Sequence, residues 1–174
     1  CTLATKNECE NVFVHAFTDG RDTDPKSSAA FIYELESHLV STTACVASLI
    51  GRYYSMDRDK RWERIKIAYE LLVNGTGTKV RDLCTGVKLS YEKGITDEFI
   101  KPLVRVDENG HPIATIQPGD VVVCFNFRTD RCREITQVLT QKDLPEQWMQ
   151  ALPLYYVTMT NYDNTFKNVN VIFH

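Results

Sequence analysis

The sequence lacks most of what would tie it to a membrane, a metal or a nucleic acid. No apolar run approaches bilayer length, and no signal-peptide pattern opens the chain. The histidines His15, His38, His111 and His174 share no metal-ligand spacing, so no metal site is expected in the chain. No Walker-type phosphate loop occurs, and no serine stands in a recognisable nucleophile context. A net charge of -3 offers no broad basic face for nucleic acid. The six cysteines, Cys1, Cys9, Cys45, Cys84, Cys124 and Cys132, form no CxxC pair and no dense framework. Cys45 and Cys124 lie in apolar strand-like runs, where a thiol acts as a small hydrophobe; a reducing, cytoplasmic protein without disulfides is expected.

What is present is an ordinary globular composition of 43% hydrophobic and 25% charged residues over 174 positions, enough for one domain with a single core. VFVHAF (Val12 to Phe17) reads as a strand covered on both faces, with His15 a satisfied core histidine. Asp24 and Pro25 are expected to start a helix whose inward face carries Phe31, Leu35 and Leu39. CVASLIG (Cys45 to Gly51) is a second buried strand. Asp57 is a plausible N-cap for a helix with Trp62, Ile65, Tyr69 and Leu72 inward. A further helix is expected from Lys79 to Glu92, and Asn109-Gly110 between LVRV and PIATI signals a hairpin. DVVVCFNF is a third buried strand, TDRCREITQVL a helix, and LPLYYVTM a fourth strand. This order predicts an α/β fold: three layers, a largely parallel sheet flanked by helices, plus one β-hairpin.

In such folds ligands bind beyond the carboxyl ends of the strands. Three of those ends carry similar groups: Gly20-Arg21-Asp22, Gly51-Arg52 with Arg58 following, and Arg128-Thr129-Asp130-Arg131. The rigid guanidinium fork suits phosphate and carboxylate, and nearby helix N-termini add positive dipole ends. The arginines are therefore expected to converge on a small, multiply charged anion. The bland alternative for each is a salt bridge to Asp22, Asp57 or Asp130. Lys60 and Arg61 are poorer candidates, because they are expected to fall within the helix with their side chains toward solvent. Asp22, held between arginines, is a candidate proton acceptor for a substrate hydroxyl.

HAFTDGRDTDP, GRYYSMDRDKRWERIKIAYELL, GITDEFIKP, FNFRTDR and MTNYDNTF, in this order and spacing, resemble the cofactor-independent phosphoglycerate mutases. The resemblance implies the inserted substrate-binding domain of a two-domain enzyme of the alkaline phosphatase superfamily. Its substrates are 3-phosphoglycerate and 2-phosphoglycerate, interconverted through a phosphorylated serine. It assigns substrate contacts to Arg21, Asp22, Arg52, Arg58, Arg128 and Arg131, and proton movement on the glycerate hydroxyls to Asp22. It places two divalent metals, usually manganese, and the serine in the phosphatase-like domain of the same polypeptide. Residues 160–174 are then the connector toward that domain, and the chain is a piece of a longer polypeptide, inactive alone. Its opening at Cys1 and its stop inside Val169 to Phe173 agree with that expectation. Two other readings stay open: a stand-alone α/β module that binds phosphorylated metabolites without catalysis, and arginines that pair with carboxylates of a partner domain.

Overall fold

The structure, a computed structural model, describes residues 1–173; His174, expected at the cut end, lies outside the described residues. In chain order the elements are α1 (Thr2–Lys6), β1 (Val12–Thr18), α2 (Ser28–Leu39), β2 (Ala44–Gly51), α3 (Arg52–Ser55), α4 (Trp62–Asn74), β3 (Thr78–Val80), α5 (Leu83–Glu92), β4 (Leu103–Arg105), β5 (Val121–Cys124), α6 (Arg133–Thr140), β6 (Tyr155–Thr158) and β7 (Val169–Val171). The fold is α/β with mostly parallel strands, divided over two sheets rather than one. The chain forms two compact units, one from Cys1–Arg52 and Gly75–Thr115, the other from Tyr53–Asn74 and the described residues from Ile116 onward.

The first unit is built on a four-stranded sheet of order β1-β2-β4-β3. β1 runs parallel to β2, and β3 parallel to β4; only β2 and β4 are antiparallel. Val46 and Leu49 of β2, Ile32 and Leu39 of α2, Leu83 and Val87 of α5, and Ile100 and Leu103 share one apolar core. Removing such side chains from water is the main force holding the unit together, at roughly 1.5–3 kcal/mol each. His15 Nδ1 lies 2.7 Å from Ser48 Oγ, so the strand histidine has the partner expected of it.

Several expectations change here for local reasons. β1 is an edge strand, with Phe13 exposed, because only β2 pairs with it. α2 begins at Ser28, not at Pro25. The oxygens of Asp24 are taken by Lys26 N and Ser27, while the buried Asp97 carboxylate accepts from Ser27 N and Ser28 N, both at 2.9 Å. That carboxylate serves as the cap for the helix from a distant part of the chain. Ile32, rather than Phe31, turns inward: Phe31 is 54% exposed and Ile32 is 5%. The helix expected from Lys79 divides, since Thr78–Val80 joins the ladder with β4 and Asp82 caps α5 through Cys84 N and Thr85 N. The hairpin after β4 closes with one bridge, Val106 to Pro112, and its return arm forms no strand; Pro112 has no N–H with which to extend the ladder.

The second unit carries a three-stranded, wholly parallel sheet of order β5-β6-β7. β5 is an edge, so Val121 and Val123 are exposed where burial on both faces was expected. β7 falls within residues 160–174, so part of that expected connector is a strand paired with β6. Helices α4 and α6 pack together, burying Ile65, Ala68, Tyr69, Leu71 and Leu72 from one and Ile135, Val138 and Leu139 from the other. Trp62, expected in the inward stripe, is only half-buried.

Candidate functional site

Parallel pairing of β1 with β2 brings their carboxyl ends together, with Thr18 opposite Gly51. The residues that follow therefore meet. Arg52 is 5% exposed and donates from Nη1 to Asp22 Oδ2 at 2.8 Å, and the same nitrogen donates to Asp19 Oδ1. Burial alone would lower the Arg52 pKa, but the bonds to Asp22 and Asp19 outweigh it and raise it. Asp19 Oδ1 also accepts from Arg21 N at 3.3 Å and Asp22 N at 3.4 Å, which shapes the turn that presents both residues. Arg21 is largely exposed, 3.6 Å from Glu98 Oε1.

The loop's footing is the segment Asp97–Phe99. Thr18 Oγ1 donates to the Asp97 carbonyl at 2.7 Å, and the Tyr91 hydroxyl donates to the Asp97 carboxylate. Gly20, at φ +65°, has the Asp97 Cβ 2.7 Å from where its own Cβ would stand. Gly51 lies against the Glu98 backbone, leaving no room for a side chain there either. Asp97 and Glu98 of the motif GITDEFIKP are thus the floor under GRD and Gly51.

In the second unit, the arginines of two loops meet at one carboxylate. Arg58 Nη1 donates to Asp130 Oδ2 at 2.8 Å, and Arg128 reaches Asp130 through Nε and Nη2, both at 3.3 Å. Partial burial would raise the Asp130 pKa, but these two guanidinium groups hold it at about 2. Arg131 Nη1 donates to the Met56 carbonyl at 3.4 Å, tying the same two loops together.

A buried carboxyl pair fastens the Arg58 loop. Asp57 accepts from Asp59 N and Arg61 N, both at 3.0 Å, and Glu134 Oε1 accepts from Lys60 N at 2.8 Å. Burial would raise the Asp57 pKa, but the N–H groups of Arg61 and Asp59 and the Arg61 side chain lower it. Glu134 moves the other way, pushed up by burial and then by Asp57. Glu134 Oε2 is buried without a hydrogen-bond partner. Arg61 is occupied by Asp57 at 3.1 Å and Asp59 at 2.7 Å; it and Lys60 precede α4, which starts at Trp62, instead of falling within the helix as expected.

The FNFRTDR loop is braced from behind. Asn126 Oδ1 accepts from Arg128 N at 2.9 Å, Thr160 Oγ1 donates to the Phe127 carbonyl at 2.9 Å, and the Tyr162 hydroxyl donates to the Asn126 carbonyl. MTNYDNTF therefore supports the arginine loop.

The structure accordingly groups Arg52 with Asp22 in one unit, and Arg58, Arg128 and Arg131 in the other. Arg21 joins neither ion-pair cluster. Sequence reasoning missed Asp19 as a ligand of Arg52, Asp97 as the floor, and Glu134 as an anchor. Asp130 was visible only as an ordinary ion-pair partner. Nothing local to these residues marks them, since each acts through a contact distant in sequence. Among the described residues no group of three or more His, Cys, Asp or Glu is placed to hold a metal ion. No described helix is long and apolar enough to cross a membrane.

Fold and site together define an α/β domain whose strand ends present arginine–carboxylate loops. Comparison with known proteins says which. Residues 1–164 match the family described as BPG-independent PGAM N-terminus, and the chain belongs to that family. The 2,3-bisphosphoglycerate-independent phosphoglycerate mutase of Flavobacterium johnsoniae is 58% identical over 165 residues, covering 95% of this chain and 33% of that protein. The protein of the same name from Bacteroides fragilis is 54% identical over 174 residues, covering 99% and 34%. Among solved structures, one described as Leishmania mexicana phosphoglycerate mutase at low cobalt concentration aligns with TM-score 0.86 and 31% identity, over 94% of this chain and 32% of that one. The chain thus spans about a third of the length of the relatives it matches.

Proposed function

We propose that this chain is the substrate-binding part of a cofactor-independent phosphoglycerate mutase, an isomerase that interconverts 3-phosphoglycerate and 2-phosphoglycerate in glycolysis and gluconeogenesis. The observation that carries the reading is the arginine–carboxylate clustering on loops at strand ends, in a chain of this family. The substrate carries a carboxylate and a phosphate, and several guanidinium forks suit both.

In this reading Arg21, Arg52, Arg58, Arg128 and Arg131 hold the two anionic groups while the glycerate reorients. Asp22, exposed and bonded to Arg52, accepts and returns a proton on a glycerate hydroxyl. The Arg52 guanidinium holds the Asp22 carboxylate in position. Asp130 holds Arg58 and Arg128 near each other until a substrate anion takes its place.

Among the described residues no cluster of His, Cys, Asp or Glu is placed for a metal centre. In our reading the two divalent ions, manganese, and the serine nucleophile belong to the phosphatase-like domain elsewhere in the same polypeptide. Chemistry of the glycolytic pathway puts the enzyme in the cytoplasm, with no nucleic acid and no membrane as partner. Isolated residues 1–174 form one substrate-binding domain in this reading, and 160–174 lead toward the other domain.

The test is a titration of the chain with 3-phosphoglycerate at low salt, followed by arginine side-chain and backbone amide NMR signals. Saturable shifts at Arg21, Arg52, Arg58, Arg128 and Arg131 are the expected result. Silence up to millimolar ligand counts against direct binding by this chain.

A further inference from the structure

Two cysteines that play no part in the proposed chemistry stand at the ends of the loop carrying Arg128, Asp130 and Arg131. Cys124 is the last residue of β5, and Cys132 is the N-cap of α6. The loop folds back so that the Cys124 and Cys132 side chains stand together in one cluster with Asn126 and Tyr162. Polar neighbours complete the cluster: the Tyr162 hydroxyl lies 3.5 Å from Cys124 Sγ, and Asn126 Nδ2 donates to Cys132 Sγ at 3.2 Å. The same Tyr162 and Asn126 brace the arginine loop.

The two sulfurs are not equivalent. The bond from Cys132 brings the Cys124 thiol down to about 7, against the upward push of burial. Cys132 is pushed up, first by that bond and then by burial. Cys132 is 1% exposed, whereas Cys124 is half-buried. Cys124 is therefore the thiol of the pair that ionises first and the more exposed residue of the two.

We propose that Cys124 and Cys132 form a reversible dithiol–disulfide site, oxidised by low-molecular-weight disulfides, that controls how the loop between them presents Arg128 and Arg131. The Cys124 thiolate attacks one sulfur of the small disulfide. Its S–S bond breaks, one small thiolate leaves, and Cys124 becomes a mixed disulfide. With the Cys124 charge gone, Cys132 gives its proton to solvent and attacks the Cys124 sulfur. The protein S–S bond forms and the second small thiolate leaves. The two protein thiols have lost two electrons, and the small disulfide has gained them. Closing the S–S bond draws the ends of the loop together, and Asn126 loses its thiol partner.

The existence of the site rests on the cluster that holds the two thiols; only its effect on binding rests on the proposed function. The chain is equilibrated with mixtures of reduced and oxidised glutathione, quenched by alkylation, cut with trypsin and mapped by mass spectrometry. Trypsin cuts after Arg128 and Arg131, so a Cys124–Cys132 disulfide joins two peptides that are otherwise separate. The expected result is that joined pair, lacking two hydrogens and lost again in dithiothreitol. In Cys132→Ser the reaction stops at a glutathione adduct on Cys124; should that variant not fold, the wild-type map decides by itself. Cys124 and Cys132 remaining alkylatable where exposed Cys1 and Cys9 react, or Cys124 joined to another cysteine, overturns the proposal. Oxidation should also cause a loss of 3-phosphoglycerate affinity that dithiothreitol restores; equal affinities overturn the control of the loop. Because the map reads the disulfide whether or not phosphoglycerate binds, failure of this site and failure of the functional reading are told apart.

Discussion

The Asp22 carboxylate accepts a hydrogen bond at 2.8 Å from Arg52, a guanidinium only 5% exposed, while its own side chain is 64% exposed. One end of this pair is fixed in the fold and the other faces solvent. Asp22→Asn should therefore leave folding unchanged, since Arg52 keeps Asp19. Turnover of the full-length enzyme should fall by about a hundredfold or more, the usual share of a positioned acid–base group. Steady-state kinetics beside a thermal melt checks both; normal turnover removes Asp22 from the chemistry.

Asp97 is fully buried and accepts from Ser27 N, Ser28 N and the Tyr91 hydroxyl. Asp97→Ala strands three donors, and the expected loss is about 3 kcal/mol in urea unfolding. Asp97→Asn, which keeps one acceptor oxygen, should fall between the two. A neutral Asp97→Ala variant would mean that water satisfies those donors.

The strand-end loops were legible because GRD, GRYY and FRTDR each follow an apolar run, and the rule for open α/β sheets says where such loops matter. Burial on both faces was misread for VFVHAF and DVVVCFNF because edge position depends on which strands pair, and composition does not carry pairing. The start of α2 was misread for a related reason: Asp24-Pro25 is a sound local start signal, yet the cap comes from Asp97, some seventy residues on. Asp19, Asp130 and Glu134 acquire meaning only through contacts across the chain, which a linear pattern does not show.

Arg128 is 52% exposed and shares Asp130 with Arg58. Exposed pairs of this kind contribute little, so Arg128→Ala should change stability by no more than about 0.5 kcal/mol. Its effect belongs in binding: turnover of the full-length enzyme on 3-phosphoglycerate should drop severely. Near-normal kinetics would remove Arg128 from the site.

Asp130, held at about 2 by Arg58 and Arg128, gives the unit an acid limb. A carboxylate with a depressed folded-state value contributes stability above its ordinary value of 3.8, and that contribution disappears as pH falls toward about 2. Asp130→Asn has no such group, so its stability should be flatter than wild type across this window. Urea midpoints measured from pH 5 downward read the difference; parallel curves would mean that the ion pairs are not formed in solution.

Glu134 has the opposite sign. Its carboxyl is 2% exposed, one oxygen lacks a partner, and burial with Asp57 beside it pushes its pKa up. A raised folded-state value contributes stability below the ordinary value of 4.5 and loses it as pH rises through the folded value. Glu134→Gln keeps an oxygen for Lys60 N and removes the ionisation, so the variant should gain on wild type as pH rises through that range. Denaturant midpoints from pH 4 to 8 test this. A variant less stable than wild type at every pH would mean that the Glu134 charge itself holds the Arg58 loop.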